Sequence, residues 1–493
     1  MTAVFLFHRD LRVDDNTTLL RMLKECGRVV PVFVFDNAQI DRKRNAYFSN
    51  AAVQFMCESS ADLDEQIVAR GSRLHLFKGD TLRVLKAIHA AHPLKSIGWN
   101  KDWSAFAKER DAKIAQWAQS AGIQVYTDED YYLTTEDQGL IEPDGKPYKV
   151  LAAFWRWFLK NHTVPQPTRA PAAGGRPCFE KLSIPALSTA ELHQFYEPIE
   201  LLAMHGGRKL GQERLKAFVA ARLPRYAHDR NVPSVAGTSG LSPYLKFGCV
   251  SIREAYWAIR KASSADHPFL RELVFRDFYA KIYAMDAALQ RYPQKALAAD
   301  LDRELHWLQP TATAHAKALW TAWTTGTTGF PLVDAGMREL LATGHQHNRV
   351  RMLCASVLTK YFWIDWRDGA KFYYTHLVDA DVFSNTAGWG FSSSTGPDAV
   401  PYFRAPFNPF IQSKKFDTDA AYIKQWVPEL RDVAAKDIHR WYEPKVRAAA
   451  HTAAHTVAHT VAHTEYPDPV VDHTTASHEA VAAFKSAAKR VKK

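Results

Sequence analysis

Short apolar runs alternate with amphipathic segments over the first 127 residues of the chain. Continuous apolar runs of four to seven residues are typical of strands buried on both faces, and the segments between them carry apolar residues at helical spacing. Strand and helix repeated in this way predict a doubly wound parallel sheet, a Rossmann-like α/β domain over residues 1–135. The runs are AVFLF, VVPVFVF, LHLF, SIGW and IQVY, and the intervening segments include Ala51–Arg70, Thr81–Ala91 and Trp103–Ser120.

The pattern changes after the last of these strands. Residues 136–205 are predicted to be an interdomain connector, because the stretch TVPQPTRAPAAGGRPCF within them is rich in proline and has no regular period. Over residues 206–446 apolar side chains recur at steps of three and four, as in HPFLRELVFRDFYAKIYAM, which predicts a large all-α domain. No G-x-G-x-x-G follows the first strand, so a nucleotide is expected to be held elsewhere.

A repeat of four residues stands near the end of the chain. It places His451, His455, His459 and His463 four residues apart, a spacing at which histidines on a helix can bind a transition metal. We interpret residues 447–466 as a low-complexity His-Thr insertion and predict no metal site. Residues 467–493, which end in AKRVKK, are predicted to form a C-terminal tail.

Composition narrows the possible partners. The formal net charge is +11, a positive balance that favours anionic partners such as nucleic acid. No apolar run approaches the roughly 18 residues that cross a bilayer, and the cysteines lack paired spacing. We therefore expect a soluble protein of a reducing compartment, cytoplasmic or nuclear, without a disulfide framework. The cysteines are Cys26, Cys57, Cys178, Cys249 and Cys354.

Four segments of the helical region carry the candidate chemistry. In the first, Gly237 precedes the loop 238–242 (TSGLS), whose small hydroxyl residues and glycine let backbone and side-chain donors approach phosphate oxygens. Taken alone, such a loop is more often an ordinary helix cap. The other three segments are ELVFRDFY, TGHQHNRVRMLCAS and the long stretch 365–409.

In this order the four segments resemble the helical domain of photolyases and cryptochromes. The opening FHRDLRVDDN resembles the first strand and loop of that family, and GFPLVDAGMREL, YIKQWVPELRDV and YPDPVVDH match further elements. The resemblance covers most of the chain and is interrupted by the His-Thr repeat. The chain is identified as a member of the photolyase/cryptochrome family.

The resemblance implies a noncovalent FAD folded inside the helical domain. Its phosphates would contact the loop 238–242, Arg351 would pair with Asp379 beneath the ring, and Asn385 would face flavin N5, where photolyases usually carry asparagine. Members of the family commonly bind a second, light-harvesting chromophore of the folate or deazaflavin type, and the sequence does not choose between them. The residues expected to hold FAD are Tyr226, Thr238, Ser239, Gly240, Leu241, Ser242, Arg276, Asn348, Arg351, Asp379, Asp381 and Asn385.

Tryptophans supply the implied electron route. Trp389 and Trp366 match the proximal and middle members of the family's electron-transfer chain. Trp307 resembles the distal member, but the stretch from it up to Trp323 is longer than the common pattern, which makes Trp320 a competing candidate.

The residues expected around the substrate indicate the lesion. Glu272, Asn348, Arg349 and Met352 match the set found in cyclobutane-dimer photolyases, whereas (6-4) photolyases carry histidine at the positions of Asn348 and Met352. A carboxyl and an amide can hydrogen-bond thymine carbonyls and stabilise the radical anion. With Glu272, Asn348, Met352 and Asn385 as the catalytic residues, we predict an enzyme that repairs cyclobutane pyrimidine dimers in ultraviolet-damaged DNA.

Two positions depart from the dimer-photolyase pattern. Phe275 and Phe391 stand where two tryptophans usually flank the flipped lesion, and phenylalanine offers a smaller stacking face. A cryptochrome-type photoreceptor with little repair activity, or a repair enzyme of the DASH type that prefers single strands, are the alternatives. We expect a monomer with no membrane association, and a lesion strand whose backbone is contacted by Arg230, Arg349, Gln412 and Lys415.

Overall fold

The computed structural model describes residues 2–141, 145–171, 178–285, 299–396, 405–457 and 466–491. Its first part is a five-stranded parallel sheet with the strand order β3-β2-β1-β4-β5. Both directions of winding start from β1, so the predicted doubly wound α/β fold is confirmed. The strands are β1 (Thr2–Phe7), β2 (Val30–Asp36), β3 (His75–Gly79), β4 (Leu94–Lys101) and β5 (Gln124–Glu129).

Helices cover both faces of this sheet. In β1, Phe5 and Phe7 contribute to one core, while Val4 and Leu6 contribute to the other, which explains why the strand is apolar without alternation. Side chains of the preceding residue cap four of the helices, as Asn16 does for the first. The helices are α1 (Thr17–Cys26), α2 (Asn37–Ile40), α3 (Asn50–Val68), α4 (Thr81–Ala91) and α5 (Ala105–Ser120).

The segment that follows is more ordered than its composition indicates. It contains an antiparallel hairpin of β6 (Leu140–Ile141) and β7 (Lys146–Pro147), and then helix α6 (Leu151–Asn161). Phe154 and Phe158 bury one side of α6 in the main core, so apolar anchoring orders part of the stretch predicted to be a connector.

The second part of the chain is mostly helical, as predicted. A second large core is formed mainly by helices from the later part of this region. The helices are α7 (Arg208–Ala217), α8 (Tyr226–Asp229), α9 (Ser242–Lys246), α10 (Ile252–Ala262), α11 (Pro268–Met285), α12 (Ala299–Glu304), α13 (Ala314–Thr325), α14 (Pro331–Thr343), α15 (Asn348–Lys360), α16 (Trp366–His376), α17 (Val382–Ser393), α18 (Pro409–Phe416), α19 (Ala421–Trp426), α20 (Ala435–Ile438), α21 (Pro444–Val457) and α22 (His473–Val491).

A buried ionic network joins the two parts. Asp130, at the end of β5, is bonded to Arg12 and lies 2.7 Å from Arg253 on α10, and Arg253 also pairs with Asp15 at 2.9 Å. All four side chains are nearly inaccessible to solvent. Breaking one member would leave a buried charge without its partner, which is strongly destabilising, so the network fixes the sheet against the helices.

The end of the chain packs back onto the helical part. Helix α21 includes His451 and His455, whereas His459 and His463 lie outside the described residues. On α22, Phe484 is buried against Leu301 of α12. Among the described residues, no helix is both long and apolar enough to cross a membrane.

Candidate active site

An ion pair lies at the centre of the helical domain. One guanidinium nitrogen of Arg351, on α15, is 3.1 Å from both carboxylate oxygens of Asp379, and Arg351 Nε donates to the Gln346 carbonyl at 2.7 Å. Burial raises the pKa of Asp379, but the charges of Arg351 and His345 outweigh it and lower that pKa to about 2. The carboxylate therefore stays negative, and Arg351 keeps a positive charge beside it.

The loop 238–242 contacts this Arg351–Asp379 ion pair. The Ser242 hydroxyl hydrogen-bonds Asp379, and the buried Ser239 hydroxyl accepts from the Leu241 N–H at 3.2 Å. Gly240 has a φ of +62°, and a Cβ there would lie 2.6 Å from the Arg214 guanidinium, so a larger residue would disturb the loop. The loop thus places hydroxyl and backbone donors close to the ion pair.

Asp381 links the helical domain to the sheet domain. Its carboxylate lies 3.1 Å from Arg9, in the loop after β1, and accepts from the Ser384 N–H at 3.0 Å to cap α17. Arg276 lies over the ring of Tyr132, 4.7 Å from its centroid. Burial raises the pKa of Asp381, and the charges of Arg9 and Arg276 outweigh it, so the net shift is downward. Sequence reasoning missed Arg9, although it stands in the FHRDLRVDDN motif.

A cavity of about 460 Å³ lies between the two domains. It opens at the carboxyl ends of β1 and β2, where His8, Arg9 and Arg110 line it, and it extends to Asn385. Lys246 also lines it, and burial lowers the pKa of this lysine to about 8. Sequence reasoning missed the cavity, although ligands of doubly wound sheets commonly bind beyond the carboxyl ends of the strands.

Asn385 is held in one orientation at the wall of this cavity. Its amide nitrogen donates to the Ala370 carbonyl at 2.9 Å, which joins α17 to α16. The donors around the centre fit FAD: hydroxyls and backbone N–H groups of the loop suit its phosphates, and the Arg351 guanidinium suits a negatively charged ring. Ser242 and Asn348 are both exposed polar side chains at this centre.

The residues expected at the lesion cluster beside the cofactor residues. Arg230 lies 2.7 Å from Glu272 on α11 and 5.4 Å from the centroid of the buried Tyr226 ring. Burial lowers the pKa of Arg349, and the charge of Arg230 lowers it further. The Glu272 carboxylate thus accepts a hydrogen bond from Arg230, a pair that the family motifs did not predict.

Asn348 and Arg349 begin α15 next to this cluster. The Asn348 amide lies 3.9 Å from the Met352 sulfur, and Arg349 donates to Asn231 at 2.6 and 2.9 Å. The Asn348 side chain is exposed.

Aromatic and basic residues extend the site. Phe275 on α11 packs 4.4 Å from the Tyr279 ring, and Phe391 is a partly buried residue of α17. On α18, Lys415 lies 5.2 Å from the Phe416 ring, which Arg349 approaches to 5.1 Å. Gln412 stands on the same helix.

Trp389 packs directly on the backbone of α16. A Cβ at Gly369 would lie 2.3 Å from the Trp389 indole, so only glycine permits this approach. Gly369 is three residues from Trp366, which starts the same helix and is fully buried. Trp389 of α17 therefore packs on α16 about one helical turn from Trp366.

The two candidates for the distal tryptophan belong to different groups. Trp307 and Trp366 both donate to one oxygen of Asp302, at 2.8 and 3.0 Å. Trp320 instead stacks on Trp323 at 5.6 Å, and the Trp323 ring lies 6.1 Å from that of Trp389. Sequence reasoning missed Asp302 and Trp323, because no local pattern marks them.

Comparison with known protein families gives two matches. Residues 3–172 match the family model described as DNA photolyase, and residues 269–486 match that of the FAD binding domain of DNA photolyase. These two ranges contain the sheet domain and most of the candidate site.

Individual proteins are similar over nearly the whole chain. A Halobacterium salinarum protein named deoxyribodipyrimidine photo-lyase is 34% identical, with 98% of this chain and 99% of the relative covered. One of the same name from Synechococcus sp. is 35% identical, with 89% and 90% covered. The crystal structure of an archaeal photolyase from Sulfolobus tokodaii with two FAD molecules has a TM-score of 0.82 and 32% identity, and covers 99% of this chain and all of that one.

Proposed function

The chain belongs to the DNA photolyase family, and on this premise we propose that it splits cyclobutane pyrimidine dimers in ultraviolet-damaged DNA. The reaction is driven by light and uses bound, reduced FAD. The observation that carries the proposal is the convergence of the Arg351–Asp379 pair with Ser242 next to the Glu272 cluster. Relatives named as photo-lyases over nearly their full length favour the enzyme over a photoreceptor.

Residues of the helical domain would hold the cofactor. The Ser239 hydroxyl and the backbone N–H groups of the loop would bind its phosphates, and Asn385 would present its amide to the ring. Arg351 would place a positive charge below that ring, while Asp379 keeps the guanidinium in position. FAD, when bound, supplies the electron that light moves to the dimer and accepts it back after the ring opens.

The exposed end of the site would bind the dimer. The Asn348 amide N–H is suited to donate to the thymine carbonyls, where negative charge develops, and the Glu272 carboxylate is suited to accept from a thymine N–H. Arg230 orients the Glu272 carboxylate through their 2.7 Å contact. A dimer is poorly stacked and paired, so rotating it out of the duplex costs less than rotating an intact pair.

The same face would hold the DNA strand. Arg349 and Lys415, on either side of Phe416, are placed to contact phosphates, and Phe275 and Phe391 are proposed to flank the flipped bases. Phosphate contacts position the strand, and the pocket selects the lesion.

We propose that the interdomain cavity holds a second, light-harvesting chromophore. A cavity of about 460 Å³ lined by Phe33, Phe106 and Phe247, with charged groups of both signs in its wall, suits a flat ring system with polar substituents. The Sulfolobus tokodaii structure is described with a second FAD as a light-harvesting cofactor. Chromophores released from protein of its natural host should amount to two per chain, one of them FAD.

The proposed activity is tested with two damaged oligonucleotides. Reduced protein is irradiated with an oligonucleotide that contains either a cyclobutane dimer or a (6-4) photoproduct, and the recovery of thymine absorbance is followed. We expect light-dependent recovery with the dimer alone. Bound FAD without recovery from either lesion would favour the photoreceptor, and recovery from the (6-4) photoproduct would contradict the assignment of Asn348 and Met352.

A variant tests the lesion pocket. Glu272→Gln removes the charge that assists binding of the dimer, and we expect repair per photon to fall roughly tenfold. The matched control is Glu443→Gln, which removes a carboxylate that is likewise paired with an arginine, Arg440, just before α21. Equal repair by both variants would exclude Glu272 from the pocket.

A further inference from the structure

Two tryptophans converge on a single carboxylate oxygen. The indole N–H groups of Trp307 and Trp366 lie 2.8 and 3.0 Å from Oδ1 of Asp302. Asp302 belongs to α12 and is only 7% exposed, and Trp366 is fully buried. Arg367 donates to the other oxygen of the same carboxylate and also pairs with Asp365 at 3.1 Å. Two oxidisable rings therefore share one buried acceptor.

The other aromatic rings around Trp389 have different hydrogen-bond acceptors. Trp323 donates to the Cys354 backbone carbonyl at 3.0 Å, and Tyr373, whose ring is 5.1 Å from that of Trp389, donates to the Gln346 side-chain amide at 2.5 Å. A carbonyl or an amide oxygen accepts a hydrogen bond but does not take up a proton near neutral pH. A carboxylate does both.

This difference matters once a tryptophan has lost an electron. An oxidised indole carries a positive charge, and its N–H becomes a much stronger acid than in the neutral ring. A carboxylate at hydrogen-bond distance stabilises the positive charge and is placed to take the proton. Trp366 and Trp307 satisfy this condition through Asp302, and Trp323 does not.

We propose that Asp302 is the proton acceptor of the electron-transfer chain. When Trp366 or Trp307 has given an electron towards Trp389, its N–H proton moves to the Asp302 carboxylate. The products are a neutral tryptophan radical and a protonated Asp302, so charge and atoms balance. This inference rests on the proposed function, in which these tryptophans keep the flavin reduced.

Proton transfer would make the charge separation last. The neutral radical cannot take its electron back through Trp389 until the proton returns, so an external thiol reductant has time to act. A thiolate supplies one electron and becomes a thiyl radical, and Asp302 returns the proton to the indole nitrogen. Trp307 is only partly buried, which makes it the point of access for the thiol.

Transient absorption of the FAD-loaded full chain tests the assignment. After a flash in the presence of dithiothreitol, the wild-type protein should show the spectrum of the deprotonated tryptophan radical. In Asp302→Asn the amide still accepts both indole hydrogen bonds, and we expect deprotonation to slow by roughly a hundredfold. Asp302→Glu, which retains the carboxylate, should restore the deprotonated spectrum.

A control variant and an infrared measurement show whether the effect is specific to Asp302. Asp300→Asn removes an exposed carboxylate from the same helix and should behave as wild type. An infrared light-minus-dark difference spectrum of the wild type should show a new protonated carboxyl band that is absent in Asp302→Asn. Equal spectra and lifetimes in the two asparagine variants would overturn the role of Asp302. A wild-type protein that binds FAD and forms no tryptophan radical would overturn the electron route itself.

Discussion

Charge at the centre of the site depends on a few buried residues. Asp379 and Asp381 are both held as carboxylates by arginines, one from the helical domain and one from the sheet domain. In each case burial alone would favour the neutral acid, and the neighbouring guanidinium reverses that preference. Ionisation of these acids is thus coupled to folding.

Asp379 should make the protein sensitive to acid. Its pKa is lowered from 3.8 to about 2, so its contribution of about 2 kcal/mol is complete above about pH 4 and is lost as the pH falls towards 2. Asp379→Asn should lower the free energy of unfolding, as measured with urea, by at least this amount at pH 7. The gap to wild type should narrow between pH 4 and pH 3, and a gap independent of pH would contradict the assigned pKa.

Substitutions of Phe275 test whether the lesion stacks on this ring. Stacking on an aromatic ring contributes about 1–3 kcal/mol per base, so Phe275→Ala should weaken binding of dimer-containing DNA about five- to hundredfold. Phe275→Trp should tighten it, because indole offers a larger face. Dissociation constants from a gel-shift titration measure both, with undamaged duplex as the control. Unchanged affinity for the dimer in both variants would remove Phe275 from the pocket.

The family motifs identified pairs that lie close in the chain better than pairs that lie far apart. Arg351 and Asp379 stand in adjacent motifs, and the structure has them in contact. The contact of Arg9 with Asp381 spans 372 positions, and the two indoles on Asp302 come from separate segments. Such contacts follow from helix packing, which no local pattern encodes.

Among the secondary-structure elements, strands buried on both faces were the most predictable. Their apolar runs match the strands of the sheet, because burial on both faces leaves a continuous signal. Helix α6 was missed, since it lies in a region assigned from its proline content, and only Phe154 and Phe158 signal its burial. The C-terminal helix α22 also docks through one apolar side rather than remaining a solvated tail.

Docking of α22 should be important for stability. Phe484 is fully buried between α22 and α12, and Phe484→Ala should lower the free energy of unfolding by about 3–5 kcal/mol through the cavity it leaves. Lys485→Ala, an exposed neighbour on the same helix, should change it by less than about 0.5 kcal/mol. Urea titration of both variants measures the difference. Equal stabilities would show that α22 is not docked.

The molecule as a whole carries a positive charge suited to DNA. With a net charge of +11, binding should weaken steeply with salt, because each phosphate contact releases counterions. Lys415→Ala should reduce the magnitude of the slope of log K against log salt by about one unit, the value for one lost phosphate contact, for damaged and undamaged DNA alike. Lys436→Ala, which removes an exposed lysine from α20, is the matched control. Equal slopes in the two variants would exclude Lys415 from the DNA surface.

The central claim is that the helical domain holds FAD so that light moves one electron to a bound dimer and back. The most direct test is a single flash applied to reduced, FAD-loaded protein saturated with dimer-containing oligonucleotide. The account predicts restored thymines in proportion to the photons absorbed, with no net change in the redox state of the cofactor. Protein that binds FAD and dimer in equal amounts and restores no thymine after the flash would contradict it.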